Sequence, residues 1–397
     1  MVHNPAQTVA SRTAREAVQP PPLAAAAVFI QDIAEASHRP LKPASTPPRG
    51  IVVLYSETDK LGKAPPEEIW ADLETIAVAK AVAQVLRQHT PLEVHLAPAL
   101  RHVESVLAPF PPEDYVVFNL FEGVDGIVPE DGNDLLDEEA RAALTIEALG
   151  YRYTGADGRA MALSVNKAWT KEALVRAGVL TPSWRAFERA EDVTPASTAG
   201  MCFPLIVKPL CEDSSLGIDA DAVVSGADTL QSRVAQISLR YEQPVLVEEF
   251  IIGREFNVGV WGDPPQVLPL AEVDLSALGA PEKRIVTYAA KWQEGSFEYE
   301  HTPVACPAVV SDALAARIRS AALQAWAAIG SRRGYGRVDM RVYGKRCYVL
   351  EVNPNPSIAA DAGLARAARA AGLDFAHMIL TILSSAGVDL HDYDTTG

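Results

Sequence analysis

Hydrophobic positions divide the chain into runs of two kinds. IVVLY (51–55) is an unbroken β-prone run, the sort that lies buried in a parallel sheet. Residues 67–88 place Ile69, Leu73, Ile76, Val78, Ala81, Val82 and Val85 at helical spacing. LEVHLA (92–97) and YVVFNL (115–120) read as two more strands. Strand alternating with helix predicts an open α/β layer over about 50–150. LLDEEARAALTIEALG (135–150) predicts a helix closed by Gly150, and NKAWTKEALVRAGVLTP (166–182) another, stopped by Gly178 and Pro182. From Phe203 the pattern turns β-rich, with FPLIVKPL (203–210), PVLVEEFI (244–251), REFNVGVWG (254–262) and two later strands, interrupted by helices at 311–330 and 360–372. The expected division is an Ala/Pro-rich extension (1–49), an N-terminal α/β domain (50–150), a central α+β piece (151–245) and a C-terminal α+β piece (246–397). The extension has the composition of a mobile segment with one short helix near 24–36.

Composition narrows the function. At 397 residues the chain can bury a large core. Its net charge of −16 argues against a nucleic-acid surface, and no apolar run is long enough to span a bilayer. The 4 cysteines stand singly, with no CxxC pair and no zinc-ligand spacing, which fits a reducing compartment. The stretch 23–30 makes a poor signal-peptide core, because four alanines occupy it and prolines precede it. The expected location is the cytoplasm.

Three constellations carry candidate chemistry. GRVDMRVY (336–343) and RCYVLEVN (346–353) are joined by Gly344–Lys345, a hairpin signal. Alternation puts Arg337, Asp339 and Arg341 on one face, and Glu351 with Asn353 on one face. Val338, Met340, Val342, Leu350 and Val352 are expected on the opposite side. If the polar faces coincide, Asp339, Glu351 and Asn353 form an oxygen-ligand set suited to Mg2+, with Arg337 placed to hold a phosphoryl group. The plainer alternative is a solvated hairpin with surface ion pairs. CEDSSLGI (211–218), just after Lys208, offers a loop whose N–H groups can approach phosphates, or an ordinary surface turn; a single Gly is too few for a Walker A loop. VEEFIIGREFNV (247–258) sets Glu248, Glu249 and Glu255 around an apolar hinge, which suits an adenine and a ribose, or else is a hairpin with exposed glutamates.

The order of these segments is more informative than any one of them. Lys167, VKP with Ser-Ser-x-Gly, VEE with GREF, YAAKW, GRVD and LEVNPNP together resemble the ATP-grasp superfamily, most closely its D-alanine–D-alanine ligase branch, over about Ile51 to Leu383. The resemblance implies an ATP-grasp fold: an N-terminal open α/β domain and two α+β subdomains clasping ATP. It implies an ATP-dependent ligase that forms an amide from a carboxylate and an amine through an acyl-phosphate, with two Mg2+ ions and a homodimeric state. Carried over by motif, Lys167 and Lys208 contact the phosphates, and Glu212, Ser214, Ser215 and Gly217 belong to the loop closing over them. Glu248, Glu249, Phe250 and Ile251 form the adenine hinge, and Glu255 takes the ribose. Tyr288 and Lys291 fall in a lid. Asp339, Glu351 and Asn353 hold the metal, Arg337 steadies the tetrahedral intermediate, and a backbone N–H near Ser357 serves the oxyanion. Glu122, Arg341 and Asn355 are the expected substrate contacts. The chain departs from the family in LYSETDKLGK (54–63), which lacks the usual amine-holding glutamate stretch, and in NPNPSIAADAG (353–363). FNLFEG (118–123) resembles a wider group of ligases acting on other amino acids or peptides. A ligase for an amino acid or a derived intermediate is therefore expected, a D-alanine–D-alanine ligase is the alternative, and a non-catalytic nucleotide-binding protein is the alternative of another class.

Overall fold

The computed structural model describes residues 47–57, 66–100, 102–123 and 138–390. The short helix expected near 24–36 and most of LYSETDKLGK lie outside them.

Three sheets organise the described residues. In the first, β1 (Gly50–Ser56) is followed by α1 (Pro66–His89), β2 (Glu93–Ala99), α2 (Val103–Leu107), β3 (Tyr115–Leu120), α3 (Glu138–Ala148) and β4 (Arg152–Tyr153). The order is β2-β1-β3-β4, all parallel, as the alternation of strand and helix predicts. β1 is buried along its whole length because both faces are covered. Ile51 and Val53 meet Ala79, Val82 and Leu86 of α1, while Val52 and Leu54 join a second core with Ala140, Ala143 and Ile146 of α3.

Two helices, α4 (Gly158–Val165) and α5 (Lys167–Arg176), lead to the second sheet. Asn166 separates them, and its side chain accepts from the N–H groups of Ala168 and Trp169, which caps α5. The second sheet comprises β5 (Trp184–Phe187), β6 (Leu205–Pro209), β7 (Val223–Val224) and β8 (Val245–Glu249), in the order β5-β8-β6-β7, with α6 (Ala227–Tyr241) behind it. Leu205, Val207, Val245 and Val247 pack on Leu230, Val234 and Ile237 of α6. The other face of β6 and β8 carries Ile206, Lys208, Leu246 and Glu248, paired in register.

The third sheet begins four residues after β8 with β9 (Arg254–Trp261), then β10 (Gln266–Val267) and β11 (Ala271–Val273). Two short helices, α7 (Tyr288–Trp292) and α8 (Phe297–Glu300), precede β12 (Val304–Ala305) and the long α9 (Asp312–Ala328). The hairpin β13 (Tyr335–Tyr343) and β14 (Arg346–Pro354) completes it, and α10 (Gly363–Ala370) and α11 (Phe375–Ser384) follow. The order is β12-β11-β9-β13-β14, with β10 beside β9. VEEFIIGREFNV is therefore a crossing from the second sheet to the third, and not a hairpin.

One expectation on the hairpin needs correction. Val338, Met340, Val342 and Val352 are buried in the core, but Leu350 faces the other way, toward Lys208 and Lys291. The register shifts after Asp339, so that Met340 pairs with Val349 and Leu350 is the extra residue. The bulge turns Leu350 out of the core and puts Val349 in its place.

The third sheet sits close against α9. A Cβ on Gly336 would come within 2.1 Å of Cζ3 of Trp326, an indole only 1% exposed. Gly336→Ala is expected to lower stability by about 1–3 kcal/mol through overpacking, read from denaturant unfolding.

Candidate active site

The cleft between the second and third sheets gathers most of the charged residues singled out from the sequence. Its polar floor is the shared face of β9, β13 and β14. Asp339 lies directly opposite Glu351 on one side and Asn257 on the other, and Arg337 lies opposite Asn353. Asn257 Nδ2 donates to Asp339 Oδ1 at 2.7 Å. Asn353 Nδ2 donates to Asp339 Oδ2 and to Glu351 Oε1, each at 3.1 Å, and so ties the two carboxylates together. Arg337 grips Asp339 with Nε at 2.8 and 3.0 Å and Nη2 at 2.9 Å.

Electrostatics sets these two carboxylates apart. Burial works against charge on Glu351, yet the field of Lys167, Lys291, Lys208 and Arg337 prevails and holds its pKa far below the usual range. Burial pushes the Asp339 carboxyl up, against the pull of Arg337. Burial also lowers the Lys291 pKa, with Arg337 nearby adding to the effect.

Among the described residues no three His, Cys, Asp or Glu side chains form a group able to hold a metal alone. The donor set here is two carboxylates and one amide, and the amide turned over would offer its oxygen. That set fits a Mg2+ ion that takes its remaining ligands from water and phosphate, and does not fit a closed protein cage.

Opposite the floor stands the second sheet. Lys208 and Glu248 share its cleft face and form an ion pair. Glu248 is fully buried, and its other oxygen pairs with Lys171 of α5 at 2.5 Å. Both its oxygens are engaged, so the hinge offers adenine a backbone edge and apolar walls, Ile206, Phe250, Ile251 and Ile285, more readily than a free carboxylate. Glu249 lines the cleft but accepts from the Cys202 N–H at 2.9 Å.

Arg341 sits with the hinge, away from the residues expected with it as substrate contacts. It is the direct cross-strand neighbour of Glu255 and donates to Glu255 Oε2 through Nε at 2.9 Å and Nη2 at 2.7 Å. Its Nη1 donates to the Ile251 carbonyl at 2.9 Å, and its guanidinium lies 4.5 Å from the Phe250 ring centroid. At 3% exposure it is spent on these contacts.

The loop at 211–217 is drawn over the cleft. Ser214, Ser215 and Gly217 all have positive φ (51°, 63° and 74°), a conformation costly for the two serines and held by the surroundings. Trp292 Nε1 donates to Ser214 O at 3.0 Å, Ser215 Oγ to Val286 O at 3.2 Å, and Tyr288 N to Ile218 O at 2.9 Å. Arg233 of α6 holds the far end through Gly217 O at 3.1 Å. Lys167, at the first position of α5, donates to the Glu212 carbonyl, while the Glu212 carboxylate accepts from Gln243 at 2.7 Å.

Glu122, Asn355 and Ser357 are not in this cleft. They line the C-terminal edge of the first, parallel sheet, where ligands bind in open α/β sheets. The Glu122 N–H donates to Ser56 Oγ at 2.9 Å, and its carboxylate accepts from Thr75 at 2.7 Å. Asn355 accepts from the Ala156 N–H at 2.8 Å, and Ser357 Oγ reaches Glu74 at 3.3 Å.

Sequence reasoning missed Asn257, Lys171, Arg233 and Trp292. Asn257 had a usable signal: it stands two residues after Glu255 on a recognised strand, so it shares that face. Trp292 ends the recognised YAAKW segment, next to Lys291. Lys171 and Arg233 had none, since only tertiary packing brings their side chains here.

The Arg341–Glu255 pair generates a stability test. Arg341→Met leaves Glu255 buried without its cation, and unfolding in denaturant is expected to show a loss of about 3–5 kcal/mol. Pairing it with Glu255→Leu is expected to restore most of that loss, because the orphaned charge is then gone.

Comparisons with known proteins identify the family and the fold. The family model for the D-ala D-ala ligase C-terminus matches residues 174–384. A D-alanine–D-alanine ligase of Bordetella petrii is 32% identical over 254 residues, which are 62% of this chain and 71% of that protein. One from Moorella thermoacetica is 31% identical over 318 residues, 78% of this chain and 92% of that one. The solved structure of the Bacillus anthracis D-alanine–D-alanine ligase complexed with ATP superposes with a TM-score of 0.60 at 20% identity, covering 88% of this chain and 100% of that one. That likeness bears out the ATP-grasp fold. The chain belongs to the D-alanine–D-alanine ligase family.

Proposed function

We propose that the chain is an ATP-dependent ligase joining a small-molecule carboxylate to an amine, with ADP and phosphate released. The observation that carries this is the convergence of Asp339, Glu351 and Asn353 with Arg337, Lys208 and Lys291 in one cleft, walled by Phe250 and Ile251.

In this reading the adenine lies against Ile206, Phe250 and Ile285, and Arg341 holds Glu255 toward the ribose. Lys167, Lys208 and Lys291 meet the phosphates, under the loop carrying Ser214, Ser215 and Gly217. Asp339, Glu351 and Asn353 hold Mg2+, which spreads the charge of the phosphates when bound. The substrate carboxylate attacks the γ-phosphorus, giving an acyl-phosphate and ADP, and the cationic side chains offset the charge that develops. The amine then attacks the acyl carbon. Arg337 steadies the oxyanion, and phosphate leaves. Closure of the loop and Trp292 keeps water from the acyl-phosphate. Acid and amine lie between this cleft and the sheet edge at Glu122, Asn355 and Ser357. We assign the reaction to the cytoplasm, where ATP is made. Among the described residues no helix is long and apolar enough to cross a membrane.

A second reading, ligation of two D-alanines, is favoured by the names of the relatives. ADP release with D-alanine alone separates the two: turnover supports the second, and turnover only with other pairs of amino acids or amino-acid derivatives supports the first. With an accepted pair, Glu351→Gln is expected to lower turnover by at least about 10²-fold, and Arg337→Ala by about 10²–10³-fold, with unchanged circular dichroism. Normal turnover in Glu351→Gln would remove the metal assignment.

A further inference from the structure

The ligase reading leaves the buried cation Lys171 without a task. Lys171 is 1% exposed, is not near enough to the cleft to line it, and yet carries an ammonium group into the interior. An unpaired charge is costly there, so its partners define what it is for. It has three, on three different elements. Nζ pairs with Glu248 of β8 at 2.5 Å. It donates to Thr181 Oγ1 at 2.9 Å, in the segment between α5 and β5. It donates to the carbonyl of Leu350 in β14 at 3.2 Å.

These partners belong to opposite walls of the cleft. Glu248 carries the second sheet, and its other oxygen holds Lys208. Leu350 is the bulge residue of the third sheet, directly before Glu351. Thr181 reinforces the same junction, since its hydroxyl donates to Val349 O at 2.8 Å and Val349 N donates to Leu180 O at 2.8 Å. A bulge leaves a backbone group outside the regular ladder, and Lys171 takes the carbonyl at that point. Lys167 stands one helical turn earlier, on the same face of α5, with its ammonium on the Glu212 carbonyl of the phosphate loop. One helix face therefore touches the loop, the Glu248 strand and the carboxylate strand.

We propose that Lys171 is a positioning residue, a charged strut that fixes the separation between Lys208 on one sheet and Glu351 on the other. The inference rests on the ligase reading. A nucleotide held by Lys208 then presents its phosphates at the distance at which a cation on Asp339 and Glu351 can reach them. The strut thus acts on the coupling between nucleotide and magnesium, and only weakly on either partner alone.

Titration calorimetry with a non-hydrolysable ATP analogue, in magnesium and again in EDTA, tests this on the full chain. For Lys171→Met the affinity in EDTA is expected to stay within threefold of wild type, while the gain on adding magnesium shrinks at least tenfold. Thr181→Val keeps the charge and removes one contact of the strut; its magnesium gain is expected to fall about threefold, and it serves should Lys171→Met not fold. A gain unchanged in the variants overturns the proposal, as does a loss of the same size in EDTA and in magnesium, which marks general loosening. A wild type that shows no magnesium-dependent nucleotide binding overturns the ligase reading together with this one.

Discussion

Two carboxylates placed directly opposite each other on neighbouring strands, both drawn into the protein, are the constraint around which this molecule is arranged. Asp339 and Glu351 cannot both stay ionised at such a spacing unless positive charge surrounds them. The chain supplies it from four elements: Arg337 from the same strand, Lys291 from α7, Lys208 from the second sheet and Lys167 from α5. Each of these is a group that a polyphosphate would also attract. The cleft is thus a place where anions and cations interleave, and a nucleotide with its magnesium extends the same alternation.

That arrangement explains why the second and third sheets have different kinds of support. The third is continuous with the first through one large apolar core, from Val52 and Ile146 to Met340 and Trp326. The second keeps a separate core against α6. Across the cleft it is joined by a small apolar cluster of Ile206, Phe250 and Ile285 and by polar contacts: Lys171 to Leu350, Thr181 to Val349, and the 250–253 crossing anchored by Arg341. Polar joints depend on geometry more steeply than apolar ones do, and they suit a boundary where separation matters.

Much of the floor of the site was legible in the sequence. Strand alternation alone aligned Arg337 with Asp339 and Glu351 with Asn353, and the Gly344–Lys345 turn fixed their opposition. The parallel first sheet followed from IVVLY and YVVFNL with a helix between. The bulge at Leu350 was not legible, since an inserted residue leaves an apolar strand still looking apolar. The short β4, β5 and α4 were missed because segments of two to eight residues carry too little periodicity. Arg341 was expected at the substrate, but the strand carries it to the hinge end, where Glu255 is its neighbour. Lys171 carried no signal in the sequence, and only the approach of β8 and β14 makes it interior.

The carboxylate pair can be interrogated directly with Mn2+ in place of Mg2+. Electron paramagnetic resonance would count bound Mn2+ in the wild type and in Asp339→Asn, each with and without a non-hydrolysable ATP analogue. The account predicts tight Mn2+ binding only when the analogue is present, lost in the variant. Equal binding without nucleotide, or binding untouched by Asp339→Asn, would contradict it.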